Sequence, residues 1–71
     1  MEPLQVDCRG LSCPEPVLRT TQAMASGAQS LEVQLNSEVA VENVSRLARA
    51  RGFLVNRTED AEGTVLHLSR T

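Results

Sequence analysis

Leu4, Val6 and Cys8 alternate with Gln5 and Asp7, the alternation of a half-buried strand. Val17, Thr21, Met24 and Ala28 then recur at helical spacing, with Leu18 and Ala25 beside them, and Gly27 marks the expected helix end. Leu31, Val33 and Leu35 alternate with Glu32, Gln34 and Asn36, which predicts a second strand. In SEVAVENVSRLARARG, residues 37–52, Val41, Val44, Leu47 and Ala48 line one helical face. Ser37 or Asn36 suits the N-cap, Glu38 the first turn, and Gly52 the position just past the C-terminus. Glu42 and Arg46 are spaced for an i,i+4 ion pair. FLVNRT and TVLHLS follow as two strands around the polar turn EDAEG.

The predicted order is β-α-β-α-β-β, without a repeat, linker or low-complexity segment. Short connections and two helices imply an α+β fold, a two-layer sandwich of a four-stranded mixed sheet with both helices on one face. The other face is expected to be open and to carry Gln5, Asp7, Glu32 and Gln34. All of residues 1–71 belong to this single domain, and a chain of 71 residues buries only about 60% of its unfolded surface. There is no room for a deep enclosed active site, so chemistry must occur at an exposed feature.

Composition narrows the function. The net charge is −2, the seven cations are all arginine, and Phe53 is the one aromatic residue. Neither the basic excess of a nucleic-acid binder nor the stacking aromatics of a single-strand binder is present, so autonomous nucleic-acid binding is not expected. No apolar run approaches the length of about 20 residues that spans a bilayer. The opening MEPLQVD lacks a basic segment and an apolar core, which points to the cytoplasm, where thiols stay reduced. A monomer is expected.

The segment DCRGLSCPEPV, residues 7–17, holds both cysteines and two of the three prolines. Proline is favoured at the first helical position, where its missing N–H would be unpaired anyway. Cys13 is thereby expected at or just before the start of the first helix, where partial positive charge gathers. Pro16 disfavours helical geometry at Glu15, which leaves open a start one turn later. The helix dipole lowers a thiol pKa by less than roughly one unit, so Cys13 reads as moderately activated. Arg9 supports and Glu15 opposes that effect. With Pro14 and Pro16 removing two donors, the segment is better suited to holding a sulfur atom out than to gripping a phosphate.

No catalytic apparatus accompanies Cys13. His67 alternates with Leu66 and Leu68 and is expected on the open face as a solvated strand residue rather than a base. Two cysteines and one distant histidine do not make a tetrahedral zinc site, so no metal and no resident cofactor are expected. Cys8 shares the strand face of Leu4 and Val6. It reads either as a small buried hydrophobe or as a resolving thiol for Cys13, which requires Cα atoms within about 4.4–6.8 Å.

DCRGLSCPEPVLRT closely resembles the signature of the sulfur-carrier family that includes TusA, SirA and YedF-like proteins. The resemblance covers essentially the whole chain. NSEVAVENVSRLARARGF is similar to the YedF-like branch in particular. The resemblance implies that Cys13 accepts sulfane sulfur as a persulfide and relays it. The donor would be a cysteine desulfurase or rhodanese-like protein, and the recipient an acceptor protein of a sulfur-trafficking pathway. The persulfide sulfur is then cargo, not a cofactor. Asp7, Arg9, Gly10, Pro14, Glu15 and Pro16 fall to positioning the Cys-Pro-x-Pro segment. Many family members carry an acidic pair before the second helix, whereas this chain has Asn36 and Ser37, and Cys8 lies outside the common signature. Two other functions compete with the carrier: a thiol-disulfide or redox-sensing module using Cys8 and Cys13, and a regulatory or RNA-associated module whose cysteines are structural.

Overall fold

In the computed structural model, which describes residues 3–11 and 15–70, the element order is β1 (Leu4–Asp7), α1 (Glu15–Ala25), β2 (Ser30–Leu35), α2 (Glu38–Ala50), β3 (Phe53–Asp60) and β4 (Gly63–Arg70). The sheet order is β1-β2-β4-β3, with β1 parallel to β2 and the remaining pairs antiparallel. Both helices pack on one face, where they also touch each other. The architecture is the expected two-helix, four-stranded mixed α+β fold.

The inward face is set by cross-strand pairs. Leu31 lies opposite Leu68 and Val33 opposite Leu66, and all four are buried. Burying one such side chain is worth about 1.5–3 kcal/mol. Val6 extends this layer to β1 and Phe53 to β3, while Val41, Val44 and Ala48 close it from α2. The outward residues Gln5, Asp7, Glu32 and Gln34 pair with one another across β1 and β2, as the alternation predicts. Leu4 departs from expectation: it shares the face of Val6 but is 41% exposed, because β1 is a short edge strand.

Helix α1 presents a different stripe from the one predicted. Pro16, Thr20, Ala23 and Met24 are buried, whereas Leu18 is exposed and Val17 half-buried. Thr20 is admitted to the core because its Oγ1 donates to the Pro16 carbonyl at 2.8 Å, leaving the methyl to pack. Helix α1 has no basic residue in its last turn. The cation that serves its C-terminal carbonyls comes from β4: the Arg70 guanidinium donates to the carbonyls of Met24 and Ala28, both at 3.3 Å, and lies over the Phe53 ring.

Helix α2 follows its sequence closely. Ser37 is the N-cap and accepts from the Ala40 amide. The helix ends at Ala50 with Arg51 as its C-cap, and Gly52 just beyond takes a positive φ. Among the described residues, Glu42 and Arg46 make no ion pair; the i,i+4 pair that forms is Glu15–Arg19, at 3.7 Å.

Strands β3 and β4 run further than predicted, leaving a turn of only Ala61 and Glu62. Asp60 Oδ1 accepts from the Glu62 amide at 2.8 Å and tightens that turn. Gly63 follows, with φ at 142° and so little space beside it that a Cβ would stand 2.4 Å from the Leu35 carbonyl oxygen. Gly63→Ala should therefore cost about 1–3 kcal/mol, a loss of roughly 4–8 °C in Tm per kcal/mol. Gly52→Ala, also at positive φ but with open space around it, should cost only about 1–2 kcal/mol. Thermal melts of the two variants check the difference; equal losses would mean that the contact with Leu35 is not limiting.

Candidate functional site

Strand β1 continues its parallel ladder one residue past its end, where the Cys8 amide donates to the Gln34 carbonyl at 2.8 Å. The chain then reverses: the Leu11 amide returns to the Cys8 carbonyl at 3.2 Å. Gly10 is the third residue of this four-residue turn and has φ of 78°, the left-handed geometry that favours glycine. Its amide donates to Asn36 Oδ1 at 3.1 Å, tying the turn to the loop ahead of α2. The Asn36 side chain thereby supplies the acceptor oxygen that this amide needs.

Arg9 organises the surface of the turn. Its Nε donates to Asp7 Oδ1 at 3.0 Å and its Nη2 to Asp7 Oδ2 at 3.1 Å, a two-pronged guanidinium–carboxylate pair. The Arg9 amide also donates to Asp7 Oδ1, at 3.1 Å. The remaining prong, Nη1, bonds Glu62 from the β3–β4 turn. These hydrogen bonds hold the Asp7 carboxyl below the usual carboxylate range and raise Arg9 further. Arg9 is thus neutralised by two acids, and Glu15 is paired with Arg19. Neither Arg9 nor Glu15 is therefore an unpaired charge.

Cys13 and Pro14 lie outside the described residues. The two ends between which their segment is held are described. Leu11 closes the turn on one side, and α1 begins at Glu15 on the other, so the helix does not start a turn later despite Pro16. Pro16 sits inside the first turn of α1 with its ring buried. Its carbonyl accepts from Thr20 and faces the Cys8 sulfur at 4.0 Å. Pro16 therefore fastens the start of α1 to β1 through the core.

Cys8 is 1% exposed and unbonded to another sulfur. Burial pushes its thiol pKa up, with Arg19 opposing weakly and Asp7 adding to the rise. A raised, inaccessible thiol is a poor partner in exchange. His67 is on the open face, as predicted, between Glu32 (Nδ1 to Oε2, 3.5 Å) and Thr58 (Nε2 to Oγ1, 3.0 Å). Among the described residues no cluster of three or more metal-ligating side chains occurs, and no helix is long and apolar enough to cross a membrane.

The site is consequently a surface. The ends of β1 and β2, the starts of both helices and the β3–β4 turn meet at one end of the sheet. The cleft beside Arg9 encloses about 30 Å³, room for a water and not for a substrate. Glu62 and Asn36 are the two contributors that a reading of the motif misses, because they reach it from 53 and 26 positions away. No local sequence signal marks either contact.

Comparison with known proteins agrees with the fold. The family model described as sulfurtransferase TusA matches residues 4–69. A putative sulfur carrier protein of Methanocaldococcus jannaschii is 35% identical over 60 residues, covering 82% of this chain and 80% of that one. The crystal structure of a SirA-like protein from Desulfitobacterium hafniense superposes with a TM-score of 0.82 at 23% identity, over 93% of this chain and 95% of its own; it shares the fold.

Two expectations follow from the site. On lowering the pH, Asp7 should titrate below its ordinary value of 3.8, and Arg9→Gln should return it toward that value. A depressed carboxylate stabilises the fold above the unfolded pKa, and that contribution disappears as pH falls through the folded pKa. The Asp7–Arg9 contribution should thus be intact at neutral pH and lost below about pH 4; NMR titration of the carboxyl carbons reads it directly. Cys8 should resist alkylation in the native protein and react readily in denaturant. Equal rates in both conditions would contradict its burial.

Proposed function

This chain belongs to the TusA sulfurtransferase family, and on that premise we propose that it is a sulfur carrier whose Cys13 takes up sulfane sulfur as a persulfide and passes it to an acceptor protein. The observation that carries the reading is the family match over residues 4–69, a span that includes position 13. The likeness to a putative sulfur carrier supports the same role.

The chemistry needs one accessible thiolate. The Cys13 thiolate attacks the outer sulfur of a donor persulfide, the donor S–S bond breaks, and the donor thiolate leaves. A nucleophile of the acceptor then attacks the outer sulfur of the Cys13 persulfide and releases the Cys13 thiolate. Sulfur moves at a constant oxidation level, so neither an oxidant nor a resident cofactor is involved. The start of α1, two residues beyond Cys13, favours negative charge by about 0.3–1 kcal/mol. The donor is a cysteine desulfurase or rhodanese-like protein, the work is done in the cytoplasm, and the chain falls in the YedF-like branch on the similarity of residues 36–53.

Burial of Cys8 favours a packing role and weighs against the redox module, which needs Cys8 as its second exchanging thiol. Incubation with a cysteine desulfurase and cysteine, followed by intact mass and peptide mapping, decides between them. We expect one added sulfur on the Cys13 peptide, retained in Cys8→Ala and absent in Cys13→Ser. Loss of two hydrogens with Cys8 joined to Cys13 would favour the redox module, and sulfur uptake by Cys13→Ser would overturn the carrier reading.

A further inference from the structure

A groove of about 400 Å³ runs between α2 and β3, on the side of the sheet remote from α1. Its floor is apolar, made by Val41, Val55 and Leu66, and its walls carry Arg46, Arg49 and Arg57 against the single acid Glu42. The protein as a whole is acidic, with net charge −2. A concentration of cation in this one groove is therefore a local feature and not an overall bias.

The state of these arginines matters more than their number. Arg9, Arg19 and Arg70 are committed to acids or helix carbonyls elsewhere. Arg57 is held by Glu38 and Glu59 at one end of the groove, and the pairing with Glu38 lowers that carboxyl's pKa. The guanidinium groups of Arg46 and Arg49 make no ion pair or hydrogen bond among the described residues, yet they stand three positions apart on one helix face beside the apolar floor. Strand β3 supplies the other wall. It is an eight-residue edge strand whose outer side pairs with no other strand of the sheet. An exposed edge of that length can accept an added strand.

We propose that this groove docks an acidic, extended segment of a partner protein, laid along the outer edge of β3. Side chains on the segment's helix-facing side enter the groove, where carboxylates bond Arg46 and Arg49 and an apolar residue two positions along the same side meets the half-buried Val55. Residues two apart on a strand share one face, so an acidic residue at i and an apolar residue at i+2 both reach a groove with a cationic wall and an apolar floor. A small anion would use the arginines but leave the edge and the floor empty. The groove is lined by residues of α2, β3 and β4 and by none of the described residues of the 7–17 segment. The proposal goes beyond the carrier reading and does not depend on sulfur transfer.

The test uses the full chain as Cys13→Ser, which removes sulfur chemistry from the readout, and a fluorescent peptide that carries glutamate and valine at successive same-face positions separated by serines. Anisotropy should show saturable binding that weakens as salt rises from about 0.15 M to 1 M. Arg46→Gln/Arg49→Gln should weaken it at least about tenfold, whereas Arg46→Lys/Arg49→Lys retains most of it. Amide shifts should cluster on Val41, Ser45 and the edge of β3. Both substitutions are at solvent-facing helix positions, and circular dichroism verifies that the fold persists.

Absence of binding, unchanged binding in the glutamine variant, or shifts centred on the open face would overturn the proposal. So would tighter binding of an oligothymidylate of equal charge, which would assign the groove to nucleic acid. Concentration-dependent dimerisation abolished by the glutamine variant would assign it to the acidic β3–β4 turn of a second copy.

Discussion

The register between β2 and β4 is the constraint on which the other contacts depend. Leu31, Val33 and Leu35 stand opposite Leu68, Leu66 and Thr64, and a slip of one residue would turn each of these side chains to the open face. The same register places Glu32 opposite His67, and brings Gly63 under the Leu35 carbonyl at the end of the ladder. With Gly63 fixed there, the two-residue turn before it holds Glu62 over the β1–α1 turn, where Arg9 can reach it. A hairpin in the last third of the chain thereby becomes part of the frame around a motif near its beginning.

The charged groups at that end of the molecule compensate one another. Arg9 satisfies Asp7 with two prongs and Glu62 with the third, and Glu15 is balanced by Arg19. What these residues supply is position: the Asp7–Arg9 fork and the Gly10–Asn36 bond fix the turn, and the buried Pro16 ring fixes the start of α1. The same geometry assigns Cys8 to the core layer that β1 contributes.

The strands and α2 were legible because their apolar residues repeat with an unambiguous period. Val33 and Leu35 have polar neighbours on both sides, and Val41, Val44 and Ala48 are bounded by a serine cap and a glycine stop. Helix α1 was less legible. It has few large apolar residues, and a threonine that bonds its own helix can enter the core as well as a valine can. A helical stripe one residue away from the true one therefore looked equally apolar. The short hairpin turn was misjudged for a related reason: Glu59 and Asp60 look like turn residues, yet on an edge strand polar side chains cost nothing.

The sequence by itself determined the element order, the inward and outward faces of the strands, the capped second helix and the Cys-Pro-x-Pro motif, since each depends on neighbours a few residues apart. Tertiary structure alone decided which side of α1 is buried, that Cys8 is closed off from solvent, and that Arg9 is shared between Asp7 and Glu62. It also decided that Arg46 and Arg49 face a groove walled by β3. Burial, charge compensation and close approach depend on which distant segments meet, and a one-dimensional pattern carries period and composition but not the identity of the partner across the sheet.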